Sequence, residues 1–270
     1  MKVRFVDKTD VTARLIIEGV DVPFMNALRR IILTEVPSMA IDEIVVLENS
    51  SILNDEILAH RLGFVPLKTD LDTYNLPKEC PCKSEFGCNL CRATLTIDVE
   101  ATDSVKTVYS SDLVPNNPDI APVSNKIPIT KLAPDQRIRL EAYARLGKGK
   151  EHVKWQPVSV CAYKYFPKVK INEKLCDACG KCVDVCPKRI LTNVEKNIGI
   201  RNITECTLCQ DCEDACPKDP TAIEVTWDKN AFILGIESNG GLSVDRLLFE
   251  SLKILDGKAE NFLNLLTEKK

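Results

Sequence analysis

Cysteine spacing is the feature that most limits how this chain can fold. Two copies of one pattern, C-x2-C-x2-C-x3-C-P, lie thirty residues apart in the 270-residue sequence. The first copy contains Cys176, Cys179, Cys182 and Cys186, and the second contains Cys206, Cys209, Cys212 and Cys216. Thiolates at such short intervals bind soft metals, so we predict that this segment folds around iron–sulfur clusters, with zinc or a disulfide-rich knot as the alternatives.

The spacing resembles that of two-cluster bacterial ferredoxins. Three cysteines separated by two residues can bind one cluster, whereas the fourth, which precedes a proline, lies too far along the chain to complete the same site. We therefore predict crossed ligation of one or two clusters, of the 4Fe-4S or 3Fe-4S type. The first set is Cys176, Cys179, Cys182 and Cys216, and the second is Cys206, Cys209, Cys212 and Cys186.

A second group of four cysteines lies upstream, at Cys80, Cys82, Cys88 and Cys91. Four thiolates within twelve residues can enclose a tetrahedral zinc ion. The C-x-C step is shorter than the usual interval between zinc ligands, so disulfides or free thiols remain as alternatives. Cys161 lies in a strand-like run, and we expect it to be a small buried apolar residue.

Composition argues against several classes of function. The chain has 36 basic and 39 acidic residues and a net charge of −3, so we expect it to meet nucleic acid only through partner chains. His60 and His152 are far apart in sequence, which disfavours a Ser-His or Cys-His catalytic pair. Neither a G-x-x-x-x-G-K-[ST] nor a G-x-G-x-x-G sequence is present. These features favour a cofactor-carrying scaffold over a self-contained enzyme.

The hydropathy pattern predicts a cytoplasmic protein. No apolar run is long enough to span a membrane, and the first eight residues alternate charged and apolar side chains instead of forming a signal-peptide core. In the cytoplasm, thirteen cysteines favour metal binding over disulfides, although intracellular proteins of hyperthermophiles are an exception.

Helix signals lie near both ends of the chain. Pro23 and Pro37 bound a segment of helical apolar spacing, which predicts a helix over 23–35. A second helix is predicted over 243–266, with Ser243 as its N-cap, Asp245 in its first turn and Lys269–Lys270 at its end. The apolar stripe of this second helix is wide enough to pack on another chain, with burial in its own domain as the alternative.

Strand patterns occupy most of the remaining sequence. Alternating apolar residues predict strands over 11–20, 40–47, 92–100, 138–144 and 231–236. A short helix is predicted over 55–62, and the proline-rich stretch 114–128 is predicted to be mostly loop.

Three stretches outside the cysteine repeats closely resemble the D-type subunits of archaeal RNA polymerase. They are Asn26–Ile41 (NALRRIILTEVPSMAI), Asn54–Leu67 (NDEILAHRLGFVPL) and Phe232–Ser243 (FILGIESNGGLS). This family is related to the amino-terminal domain of the bacterial polymerase α subunit. Some members carry a ferredoxin-like insertion before the closing strand, and the cysteine repeats of this chain occupy that position.

The resemblance implies an α+β fold with a discontinuous dimerisation domain, residues 1–42 and 225–270. Between its halves it implies a β-rich insert domain, 43–167, and a ferredoxin-like iron–sulfur domain, 168–224. Eukaryotic relatives carry zinc in the place of Cys80, Cys82, Cys88 and Cys91. The resemblance also implies that Arg29 and Arg30 contact a large subunit, with a solvated charged face as the alternative.

The family implies a role in transcription without catalysis by this chain. Its members are assembly subunits of DNA-directed RNA polymerase, a nucleotidyltransferase, and pair with the small subunit L as a platform for the two largest subunits. The Asp-rich magnesium site lies in the largest subunit, so we expect no catalytic residue here. The alternative function is an iron–sulfur electron-transfer subunit of a redox complex, although no nicotinamide, flavin or haem motif accompanies the cysteines.

Overall fold

The computed structural model describes residues 1–84, 86–194 and 197–267. The fold is α+β, as predicted, and strands predominate. The described residues form two compact units. The first comprises Met1–Asp7, Arg14–Asn26 and Ala162–Gly235, and the second contains the rest.

All three predicted helices and all five predicted strands are present, and several of these strands are longer than predicted. Two short helices and further strands had not been predicted. The helices are α1 (Val22–Thr34), α2 (Asp55–Gly63), α3 (Lys181–Val185), α4 (Asp211–Asp214) and α5 (Val244–Thr267). The strands are β1 (Lys2–Lys8), β2 (Thr12–Glu18), β3 (Pro37–Asn49), β4 (Ala93–Ala101), β5 (Lys106–Tyr109), β6 (Val114–Pro115), β7 (Pro128–Leu132), β8 (Gln136–Lys148), β9 (Val158–Ile171), β10 (Leu191–Val194), β11 (Asn197–Ile200) and β12 (Ile223–Ser238).

A four-stranded sheet with the order β1-β2-β12-β9 supports the first unit. Its strands β9 and β12 are long, and the predicted boundaries 167/168 and 224/225 fall inside them. Phe232 on β12 is fully buried, and its ring lies 5.7 Å from that of Tyr163 and 5.1 Å from that of Tyr165. Strands β9 and β12 therefore lead directly into and out of the cysteine repeats.

The second unit is built on an antiparallel sheet with the order β3-β8-β4-β6. Leu140 on β8 pairs with Val46 on β3 and Ile97 on β4, so that apolar side chains from neighbouring strands meet on one face. Helix α2 covers this face with Leu58 and Leu62, both fully buried. This core positions the loop that carries Cys80 to Cys91.

Proline and capping residues fix the ends of α1. The backbone N–H of Phe24 donates to Asp21 Oδ1 at 3.0 Å, which caps the first turn. The helix ends at Thr34, and Pro37 begins β3. Met25 and Ile32 of this helix are both fully buried, and the predicted apolar spacing included Ile32 but not Met25.

Helix α5 begins as predicted but leaves much of its apolar stripe uncovered. Ser243 Oγ accepts the backbone N–H of Arg246 at 3.3 Å, and Asp245 pairs with Lys8 at 2.7 Å. After Ser251 the described residues of this helix are half-buried or exposed. Burial of the whole stripe within this chain, the alternative considered from the sequence, is therefore wrong. The predicted end at Lys269–Lys270 lies outside the described residues.

Candidate metal centres

The first predicted cluster set converges on one cavity. Its four cysteines line a space of about 370 Å³ together with Ile171 and Ile223, which lie at the facing ends of β9 and β12. The cysteines are Cys176, Cys179, Cys182 and Cys216. Three come from the first repeat and one from the second, as the crossed arrangement requires.

The second predicted set lines a separate cavity of about 320 Å³. Its cysteines are Cys186, Cys206, Cys209 and Cys212. Val225 of β12 also lines this cavity, and its backbone N–H donates to Glu213 Oε2 at 3.1 Å. Each cavity therefore holds one of the two ligand sets that the spacing predicts.

The two repeats share an unusual backbone conformation. Ala178 and Leu208, thirty residues apart, have φ of 56° and 61°, and Gly180 and Gln210 have φ of 81° and 68°. Non-glycine residues seldom adopt positive φ unless the surrounding structure holds them there, and such positions concentrate at functional sites. Successive N–H groups of a backbone with this conformation form concave anion sites that often hold iron–sulfur clusters. The backbone of both repeats therefore fits the predicted clusters.

Burial makes two of the cluster cysteines, Cys182 and Cys212, poor acids when no cation is near. Burial, together with the nearby Cys186 and Cys209, raises the pKa of Cys212 to about 11. Burial also raises the pKa of Cys182. Metal ligation requires thiolates. A cationic centre beside these half-buried sulfurs would favour their thiolate form and so offset the effect of burial.

The four upstream cysteines converge on a different centre. Their sulfur atoms all lie within 4.8 Å of one another, at Cys80, Cys82, Cys88 and Cys91. The Cys80–Cys88, Cys82–Cys91 and Cys88–Cys91 separations are 3.7, 3.8 and 3.9 Å. Four sulfurs about 2.3 Å from a tetrahedral zinc ion lie about 3.8 Å apart, so the donor set fits zinc. All thirteen cysteines lie in the described part of the chain, and none forms a disulfide there.

Backbone turns overcome the short C-x-C step. Lys83 and Gly87, which lie between the two pairs of cysteines, have φ of 47° and 76°. A backbone hydrogen bond from Ser84 is the main cause that lowers the pKa of Cys82 to about 7, whereas burial raises the pKa of Cys91 to about 12. The loop is therefore shaped around the four sulfurs.

The remaining candidate residues are Cys161, Arg30 and the two histidines. Cys161 is buried, as predicted, and burial raises its pKa to about 11. Arg30 is exposed at the surface of α1, and its contact with a large subunit remains a prediction. The two histidines, distant in sequence, both lie near the ring of Phe64, with centroid distances of 5.0 Å for His60 and 5.9 Å for His152. Sequence reasoning did not foresee this grouping.

The carboxylates of an Asp-x-Asp sequence, Asp70 and Asp72, form contacts within the chain. Asp70 Oδ1 accepts the backbone N–H groups of Asp72 and Thr73, and the Asp72 carboxylate forms a bidentate pair with Arg246 at 2.7 and 3.0 Å. Hydrogen bonding lowers the pKa of both carboxyl groups, with the main bond coming from Thr73 for Asp70 and from Arg246 for Asp72.

Comparison with protein families identifies both inserted segments. The RNA polymerase Rpb3/RpoA insert domain matches residues 43–160, and a 4Fe-4S dicluster domain matches residues 168–217. The second match contains every cysteine of both repeats, from Cys176 to Cys216. Iron–sulfur binding is therefore supported by the family, by the repeat and by the two cavities.

Full-length relatives decide the family. The protein called DNA-directed RNA polymerase subunit Rpo3 from Methanosphaera stadtmanae is 38% identical over 99% of both chains. Those of the same name from Archaeoglobus fulgidus and Pyrobaculum calidifontis are 37% and 39% identical, over 99% of this chain and 98% and 97% of theirs. The chain belongs to the archaeal RNA polymerase subunit Rpo3 family.

Membership of the Rpo3 family confirms the resemblance read from the sequence. It also disfavours the electron-transfer alternative, because the relatives match nearly the whole chain and the dicluster domain covers only residues 168–217. Among the described residues, no helix has both the length and the hydropathy of a membrane span.

Proposed function

We propose that this chain is the non-catalytic assembly subunit of an archaeal RNA polymerase, equivalent to the D-type subunits of that enzyme. In this proposal it acts in the cytoplasm, forms a 1:1 heterodimer with the small subunit L, and provides the platform for the two largest subunits. Nucleic acid is met only through the assembled enzyme. The observation that supports this most strongly is the match to Rpo3 proteins along nearly the full length of both chains.

The uncovered stripe of α5 supports a helical partner. Leu252, Leu255, Phe262 and Leu266 recur at intervals of three, four and seven residues, so they lie on one side of the helix. Leu252, Phe262 and Leu266 are 44%, 63% and 53% exposed. An exposed apolar patch of this kind can be buried by packing against apolar helices of another subunit.

The proposed domain division follows the family. Residues 1–42 and 225–270 would form the dimerisation domain, 43–167 the insert domain and 168–224 the iron–sulfur domain. The matches at 43–160 and 168–217 support the two inner parts. Each inner part would then carry its own metal centre.

We assign the clusters to the crossed cysteine sets and zinc to the upstream group. Iron–sulfur clusters at these sites would supply cross-links between thiolates, with no step of nucleotide addition passing through them. The iron–sulfur segment needs such links, because its main cluster of buried apolar residues is small: among the described residues it contains Ile190, Leu191, Ile198, Cys206 and Ile223. Small domains with thin cores commonly depend on metals for stability.

Native co-purification tests the proposed function. We expect an affinity-tagged chain expressed in its own cells to elute with subunit L and the large polymerase subunits, and the eluate to extend RNA on a DNA template. A chain that elutes with a dehydrogenase or another redox enzyme, and without polymerase subunits, would contradict the proposal.

A further inference from the structure

Two cations from the four-stranded sheet hold the turn that leads into the second cluster set. This turn is the single helical turn Ile203–Glu205 followed by Cys206. Arg14 on β2 pairs with the Glu205 carboxylate, and Lys164 Nζ on β9 donates to the backbone oxygen of Cys206 at 2.7 Å. Strands β2 and β9 flank β12, so the turn is attached to the sheet from both sides.

Arg14 also connects this turn to the edge of the sheet. Its guanidinium pairs with Asp7 of β1 at 2.8 Å while it pairs with Glu205. Every residue of β1 is exposed, so little apolar burial holds this strand in place. The hydrogen bond to Glu205 is the main cause that raises the pKa of Arg14 above its ordinary value. Arg14 therefore joins β1, β2 and the turn in one ion-pair network.

The first repeat lacks the acidic residue of this network. Thirty residues before Glu205, the equivalent position is Leu175, whose apolar side chain is 39% exposed. Asp177, which follows the first cysteine of the first cluster set, pairs with Lys218 at 2.8 Å. Among the described residues that line the first cavity, those from the four-stranded sheet are Ile171 and Ile223, at the ends of β9 and β12.

We propose that the second cluster, and not the first, controls the order of the β1–β2 edge, through Arg14 and Lys164. The proposal rests on the cluster binding proposed above. Cys206 is both a ligand of this cluster and the acceptor of the Lys164 hydrogen bond. When the cluster is lost, the turn loses the metal that fixes Cys206, and both cations lose a fixed partner. The edge of a sheet that belongs to the dimerisation part then loosens.

Hydrogen exchange on the full-length chain, purified anaerobically, tests this link. One variant, C209S/C212S, removes two ligands of the second set, and its counterpart, C179S/C182S, removes the equivalent ligands of the first. Both leave Cys206 in place. We expect amide exchange of residues 2–18 to rise about tenfold or more in C209S/C212S and to stay within about twofold of wild type in C179S/C182S. Iron and sulfide analysis reports which cluster each protein retains.

A charge variant tests the connection without removing a ligand. Glu205→Gln should raise exchange over residues 2–18 while iron content stays at the wild-type level, and combining it with C209S/C212S should add little. Glu173→Gln, at an exposed carboxylate of the first repeat, is the matched control and should change neither quantity. Non-additivity is expected because both changes act on one network.

The outcomes separate this inference from the proposed function. Equal exchange in the two cluster variants, or full additivity with Glu205→Gln, would overturn the inference while cluster binding stands. Wild-type protein without iron would overturn both the inference and the assigned cofactor, although co-purification would still decide the polymerase role.

Discussion

Gly180 and Gln210 hold the same left-handed backbone conformation, each directly after the second cysteine of its repeat. Glycine reaches this conformation without steric cost, whereas a residue with a Cβ is destabilised by about 1 kcal/mol. The two repeats therefore have one backbone but different intrinsic stability. The second repeat depends more on its cluster and its contacts to keep that backbone in place.

This asymmetry gives a prediction for two alanine variants. Gly180→Ala should lower the free energy of unfolding by about 1 kcal/mol, because its Cβ enters the left-handed region and lies 3.1 Å from Asn193 Nδ2. Gln210→Ala is the matched control, since this position already carries a Cβ, and should change stability by less than about 0.5 kcal/mol. Urea titration of the anaerobic chain measures both. Equal losses would show that the added Cβ at Gly180 is not the source of the cost.

Charges on the exposed stripe of α5 should abolish partner binding. Leu252→Asp with Phe262→Asp places two carboxylates in the proposed interface, and we expect subunit L to bind at least about 100-fold more weakly, since buried unpaired charges are costly. Asn261→Asp adds a charge to the opposite, exposed side of the same helix and should bind normally. Titration of purified L against each variant, with circular dichroism as the check on folding, measures the effect. Wild-type affinity in the folded double variant would remove α5 from the interface.

Sequence reasoning located α1, α2 and α5, five of the twelve strands among the described residues, and both groups of cysteines, because each of these has a local signal. Proline marks both sides of α1, and regular spacing marks the repeats. Strand length was harder, since β12 begins at Ile223 within a segment whose alternation is interrupted by the consecutive polar residues Asp228, Lys229 and Asn230. Pairing with β2 and β9 extends this strand beyond its pattern.

Contacts between distant residues had no sequence signal. Arg14 and Glu205 are 191 positions apart, and neither lies in a motif. The same holds for the convergence of His60 and His152 on Phe64. The short C-x-C step made the upstream group look unlike a zinc site, because the positive φ of Lys83 that compensates for it has no spacing signature.

Zinc analysis tests the upstream centre. We expect one zinc per freshly purified chain, retained in Cys161→Ser and lost in Cys88→Ser, because Cys88, unlike Cys161, belongs to the tetrahedral donor set. Loss of the ion should also raise proteolytic cleavage within residues 77–92, since metal binding and local folding are coupled. Zinc content unaffected by Cys88→Ser would reject the assignment.

Asp42 should make stability depend on pH. Burial raises its pKa, but hydrogen bonds from Lys154, at 2.6 Å, and from Arg145 outweigh burial and bring the pKa below its ordinary value. A carboxyl with a lowered folded-state pKa stabilises the protein above its unfolded pKa and loses that contribution as pH falls through the folded value. Asp42→Asn should therefore cost about 1–2 kcal/mol at neutral pH, allowing for solvent screening, and the difference should shrink in acid.

The control for Asp42 is an exposed ion pair in the same unit. Asp98 pairs with Arg137 at 2.8 Å, and its side chain is 49% exposed. Asp98→Asn should cost less than about 1 kcal/mol at neutral pH. Urea midpoints of both variants and wild type, measured from neutral pH down to about pH 2, well below the unfolded pKa of aspartate near 3.9, give the comparison. A cost for Asp42→Asn that stayed constant over this range would show that its charge is not the source.

Removal of one cluster makes the crossed ligation testable with single substitutions. In the C209S/C212S background only the first set can bind a cluster, and Cys216 rather than Cys186 lines that cavity. Cys216→Ser in this background should therefore lower the remaining iron content or convert the electron paramagnetic resonance spectrum, whereas Cys186→Ser should leave both unchanged. Uncrossed ligation predicts the reverse result, because the first repeat would then use its own fourth cysteine. The fold favours crossing, since α3 ends at Val185 and carries Cys186 away from the cavity that Cys216 completes.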